Sequence, residues 1–210
     1  MRRVLLASLA AVAASGCAST GARTAPEDTS YADFLIGRYA ERSRDPVAAA
    51  ERYASALRNT PRDAMLLEGA AESALAAGDA ASAAHYGRRA DAQNVHIASG
   101  RLAQAAFALR DGRAKDVRSL LNDLDGAPAE LLSARLLSVW ASAAQHDAEA
   151  ALADLGDETL PVRSPWAALQ HYQRAMVLDY LGRDSEALTA YAKGQDAGGL
   201  RVAQVIVHHG

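Results

Sequence analysis

The chain has 210 residues, half of them apolar, with 22 basic against 25 acidic side chains, six histidines and one cysteine. A net charge of −3 without a basic stripe argues against a nucleic-acid binder, and a single thiol excludes an intrachain disulfide framework. The apolar stretch Val4–Ala14 is eleven residues long, well short of the roughly 20 that span a bilayer as a helix.

That stretch follows Met1-Arg2-Arg3 and leads into small residues. A basic start, a short apolar core and a small-residue exit are the layout of a secretory signal rather than of a membrane span. A buried N-terminal helix of a cytosolic domain is the alternative, but nothing amphipathic appears before Ser30. The exit, Ala14-Ser15-Gly16-Cys17, resembles a bacterial lipobox, with Ala14 where Leu is usual. The resemblance implies cleavage after residue 16 and lipid attachment at Cys17. Several acyl chains on one residue anchor a protein stably where a single chain does not. A cleaved, soluble protein with an incidental thiol is the competing reading. Ala18 and Ser19 in place of Asp resemble lipoproteins sent to the outer membrane, which implies its periplasmic face; a soluble periplasmic protein is the alternative. Residues 17–30, small and polar, read as a flexible tether.

From Tyr31 the chain is Ala-rich and poor in strand formers, a composition that favours helices. Short breaks at Arg44-Asp45, Gly78-Asp79, Gly112-Arg113, His146-Asp147 and Gly182-Arg183 recur at steps of 34, 34, 34 and 36 residues. Five residues after them stand Ala49, Ala83, Val117, Ala151 and Ala187; nine after, Tyr53, Gly87, Leu121, Leu155 and Tyr191; seven before, Gly37, Ala71, Ala105, Val139 and Ala175. Small residues thus recur where two helices would touch, and Gly at a break ends a helix at little cost. Asp45, Asp79 and Asp147 recur at turn positions for structural reasons. Ser164 reads as an N-cap with Pro165 at the first helical position, and the two extra residues of the last step fall in the loop before it.

This pattern resembles the tetratricopeptide repeat, a 34-residue pair of antiparallel helices. The first unit carries it best, with Ile36-Gly37, Ala49, Tyr53, Ala56-Leu57 and Pro61; the fifth carries Gly182, Ala187 and Tyr191. The predicted fold is all-α, a right-handed α-solenoid of about five such units over 31–195, following a signal peptide (1–16) and the tether. Residues 196–210 are expected to be irregular or an incomplete sixth unit, since Leu200, Val202, Val205 and Ile206 have no visible cap.

No phosphate loop, dinucleotide fingerprint, nucleophile elbow or HExxH stands in the chain, and no two of His85, His96, His146, His171, His208 and His209 lie four apart. No cofactor, metal or small-molecule substrate is therefore expected, and the chain reads as a non-enzyme. The alternative is an accessory domain of a cell-envelope enzyme, or an enzyme whose residues converge only in space.

The resemblance implies a concave wall built from the first helix of each unit, used to hold a protein or peptide segment. Its expected residues are Tyr31, Phe34 and Arg38, then Glu68 and Glu72, Leu102, Leu136 and Trp140, and finally Tyr172, Met176 and Tyr180. The Lys and Asn with which some family members clamp a C-terminal carboxylate are missing. An aromatic groove for an amphipathic helix or extended segment is expected instead. The same side chains could equally fill contacts between units.

Overall fold

The computed structural model describes residues 26–156 and 165–197, and among these all regular structure is helical. Cys17, the leader, most of the tether, Ser164 and everything past Ala197 lie outside the described residues. Ten helices follow one another: α1 (Pro26–Arg42), α2 (Pro46–Asn59), α3 (Ala64–Ala76), α4 (Ala80–Asp91), α5 (Ala98–Arg110), α6 (Ala114–Leu121), α7 (Pro128–Ala144), α8 (Ala148–Leu155), α9 (Pro165–Tyr180) and α10 (Asp184–Asp196). Each packs on the next, making five consecutive pairs. The odd-numbered helices also touch one another in series, α1 on α3, α3 on α5, α5 on α7 and α7 on α9. No even-numbered pair makes a comparable contact among the described residues. Helices spaced more closely on one side than on the other make a curved stack, with the odd helices on its inner wall.

The breaks are where the sequence becomes geometry. Arg44, Gly78, Gly112, His146 and Gly182 all have positive φ, between 58° and 83°. The N–H after each one reaches back to a carbonyl five residues earlier: Asp45 to Ala40, Asp79 to Ala74, Arg113 to Ala108, Asp147 to Ser142 and Arg183 to Leu178, at 2.7–3.0 Å. A left-handed residue followed by this long backbone bond is the Schellman helix stop, which satisfies carbonyls left free at a helix end. The residue that closes this stop also starts the next helix. Asp45, Asp79 and Asp147 accept from the N–H of Ala48, Ser82 and Ala150, each at 3.0 Å. Arg113 and Arg183 stand in the same place without a side-chain cap. A left-handed residue and an N-cap therefore reverse the chain in two residues. Hydrogen bonding from the Ser82 side chain first, then from the Ser82 and Ala81 backbone, holds the Asp79 carboxyl below the usual carboxylate pKa.

The first helix starts at Pro26, earlier than the periodicity predicts, so residues 26–30 are helix and not tether. Ser30 shows why the chain is ordered there: it is 7% exposed, and its hydroxyl donates to Ala56 O at 3.1 Å. The core is a string of small clusters along the array, not one central mass. The first joins Ala40, Tyr53, Leu57, Leu67, Ala70 and Ile97; later ones gather around Val117, Val139 and Val177, and Tyr191. The first three of these clusters join residues of neighbouring pairs, so adjacent units share core as a repeat array must, while the one at Tyr191 lies within the last pair.

Two contacts set how closely the helices approach. The Tyr53 ring, 1% exposed, lies between α1 and α3, where a Cβ on Gly37 or Gly69 would stand 3.0 and 2.8 Å from it. At the next boundary α4 and α5 cross backbone on backbone. A Cβ on Gly100 would fall 2.5 Å from Gly87 Cα, and one on Gly87 would fall 2.7 Å from Gly100 Cα.

Candidate interaction surface

The inner wall changes chemistry along its length. At the N-terminal end Tyr31 is 64% exposed and stacks on half-buried Phe34, which in turn leans on Tyr53. Arg38 is exposed and pairs with Glu41 at 2.9 Å. Glu41 also accepts from Ser73 Oγ at 3.4 Å, tying α1 to α3. Glu68 and Glu72 are exposed on α3. The Glu72 carboxyl is pushed above its ordinary pKa, first by partial burial and then by Glu68, Glu130 and Glu41. Carboxylates from α1, α3 and α7 thus feel one another, as expected where odd helices converge. Tyr53 points its hydroxyl toward this group. It faces Glu41 and Arg38 without a hydrogen bond of normal geometry, and burial, with the Glu41 carboxylate, pushes the phenol well above its usual pKa.

The C-terminal half is aromatic. Trp140, half-buried on α7, donates from Nε1 to Gln173 Oε1 at 3.1 Å and meets Tyr180 edge-on at 6.0 Å. Tyr180 is 54% exposed and lies nearly parallel to the His146 ring, 6.4 Å away at 14°. Indole, phenol and imidazole thereby form an open cluster where α7 and α9 meet. His146 belongs to it because the left-handed turn after α7 carries its ring to Tyr180. Nothing in the residue spacing announces that contact.

The other expected wall residues do not join this cluster. Tyr172 turns toward α10, against Tyr191 at 6.5 Å and over Gly194, where its ring takes the space of a missing Cβ. Met176 packs on the core cluster of Ala175, Leu178, Ala187 and Ala190. Leu136 packs against the cluster of Val139, Ala143, Ala151, Leu155 and Val177. Leu102 is 6% exposed and so is not presented on the wall, because α5 lies directly against α7. The loop before α7 closes over that end, with Gly126 against Ala98.

Among the described residues no three His, Cys, Asp or Glu side chains converge to hold a metal ion. No described helix is long and apolar enough to cross a membrane. A groove of about 370 Å³ between α2 and α4, bordered by Val47, Glu51, Asp79, Ser82 and Tyr86, lies mostly on the even-numbered helices and not on this wall. No protein-family model and no curated protein matches the chain in comparison.

Proposed function

We propose that the chain is a tetratricopeptide-type scaffold, anchored by lipid at Cys17 to the periplasmic face of the bacterial outer membrane, that holds a protein or peptide segment on its inner wall. The observation that carries this reading is the open Trp140–Tyr180–His146 cluster on a curved helical wall. Trp and Tyr supply much of the contact energy at protein interfaces. The phase of the five left-handed breaks supports the repeat family, and the Ala14–Cys17 exit supports anchoring. On this reading the partner carries an apolar or aromatic stretch for the C-terminal half of the wall, continuing into basic residues for Glu68 and Glu72.

The test is affinity capture of the anchored protein from detergent-solubilised bacterial envelopes, beside a Trp140→Ala/Tyr180→Ala double variant whose helicity has been verified by circular dichroism. A protein retained by the native chain and lost by the folded variant supports the wall. Equal recovery by both removes it.

A further inference from the structure

The repeat phase says which residues of each unit are covered by the unit before it, and among the described residues no helix pair stands before the first. Its three residues facing that way are Leu35, Ile36 and Tyr39, which are 49%, 45% and 73% exposed. In the second unit the equivalent residues are Gly69, Ala70 and Ser73, all buried against the first. In the third they are Ala103, Gln104 and Phe107; in the fourth, Leu137, Ser138 and Ala141; in the fifth, Gln173, Arg174 and Val177. None of these is exposed. Leu35, Ile36 and Tyr39 thus form an apolar and aromatic face left open at the end of the array, which Tyr31 extends one turn back. Arg42, which is exposed, lies seven residues on from Leu35, along the same side of α1.

We propose that this face of α1 docks on the lipid bilayer to which the chain is anchored. The proposal rests on the lipid attachment at Cys17. Eight residues separate Cys17 from Pro26, and they reach at most about 30 Å when fully extended. The face begins barely more than one helical turn further on, so it is held beside the bilayer surface. Its composition suits that surface. Tyr favours the headgroup region, Leu and Ile the acyl boundary just below it, and Arg the anionic lipids. It suits another repeat poorly. The second unit receives its neighbour on Gly69, Ala70 and Ser73, whereas α1 offers Leu, Ile and Tyr in those places, which would hold a helix stacked in the same register away.

The test uses the full chain isolated from bacterial envelopes and reconstituted in phosphatidylethanolamine vesicles with about a quarter phosphatidylglycerol. A Ser43→Cys variant places a fluorophore one turn beyond Tyr39 without altering the face, and Leu188→Cys, 52% exposed on α10, labels the other end. The mass of the N-terminal fragment is read first. The expected result is an acylated Cys17, a Ser43→Cys label that loses most of its emission to a quencher carried on the lipids and is shielded from iodide, and a Leu188→Cys label that behaves oppositely. Adding Leu35→Asp and Tyr39→Asp should return the first label to water while the anchor remains. An unmodified Cys17 overturns the anchoring and the docking together. With Cys17 acylated, a Ser43→Cys label open to iodide overturns the docking alone. A label shielded from both quenchers overturns it too, because a second copy, another protein or the leader then covers the face.

Discussion

The first two boundaries of the array solve one packing problem in opposite ways. Tyr53 and Gly87 occupy the same place in their units, nine residues past the break. At the first boundary that place holds a ring, and the helices on both sides of it yield space through Gly37 and Gly69. At the second it holds no side chain, and α5 closes onto α4 until Gly87 and Gly100 touch through their backbones. The step of 34 residues is common to both; the volume is redistributed. A repeat therefore constrains pairs of positions rather than single ones, and a large residue is tolerated wherever its partners are small.

The comparison breaks first at the ring. Tyr53→Ala should cost about 3–5 kcal/mol in denaturant unfolding, the range for emptying a buried aromatic site. In that background Gly69→Ala should become stabilising, because the ring that blocked its Cβ is gone, while in the native chain it should destabilise. At the second boundary Gly100→Ala should cost about 2 kcal/mol, since forcing two backbones apart outweighs the better helix propensity of Ala. Adding Gly87→Ala there should bring no recovery. A recovery would mean that the crossing is looser than the 2.5 Å approach implies.

A smaller effect separates charge from packing beside the first boundary. The Glu72 carboxyl is raised in the folded chain, so the folded state takes up its proton more readily than the unfolded one. Its ionised form therefore costs stability above the folded pKa, and that cost fades as the pH falls toward the unfolded value near ~4.3. Glu72→Gln should raise the melting temperature at neutral pH and leave it unchanged in acid. The smallest effect sharpens what Tyr53 contributes. Its hydroxyl makes no hydrogen bond of normal geometry to its neighbours Glu41 and Arg38, so Tyr53→Phe should leave stability unchanged or slightly raised, in contrast to Tyr53→Ala.

The breaks were legible in the sequence because their chemistry is local. Glycine at three of the five and Asp just after three mark a helix stop and a helix start without reference to anything distant. Arg44 and His146 in the same conformation were legible only through their phase. The exposure of the expected wall residues followed the repeat only in part. Trp140 and Tyr180 are half-buried and exposed where the repeat places them, but Tyr172, two turns before Tyr180, is taken up by Tyr191 and Gly194 of the following helix. Leu102 was lost to the close approach of α5 and α7. Both outcomes depend on how far apart two helices come to rest. Side chains remote in sequence decide that distance, as Gly87 does for Gly100.

The two-residue reversal within each pair also fixes where this chain can change length. Because one residue closes the stop and the same residue starts the next helix, an inserted residue there must displace either the left-handed conformation or the cap. Within the helix that follows it would turn the buried side about 100° toward solvent. In the connections between pairs, among the described residues, the residue that closes one helix does not start the next, although Asn94 after α4 makes the same left-handed stop with Val95 N–H on Ala90 O at 3.0 Å. The one departure from the 34-residue step, the 36 residues from His146 to Gly182, coincides in sequence with the longest of these connections. The array therefore behaves like a rule with rigid divisions and adjustable gaps. Its evolutionary freedom, and any engineered loop, belongs in the gaps.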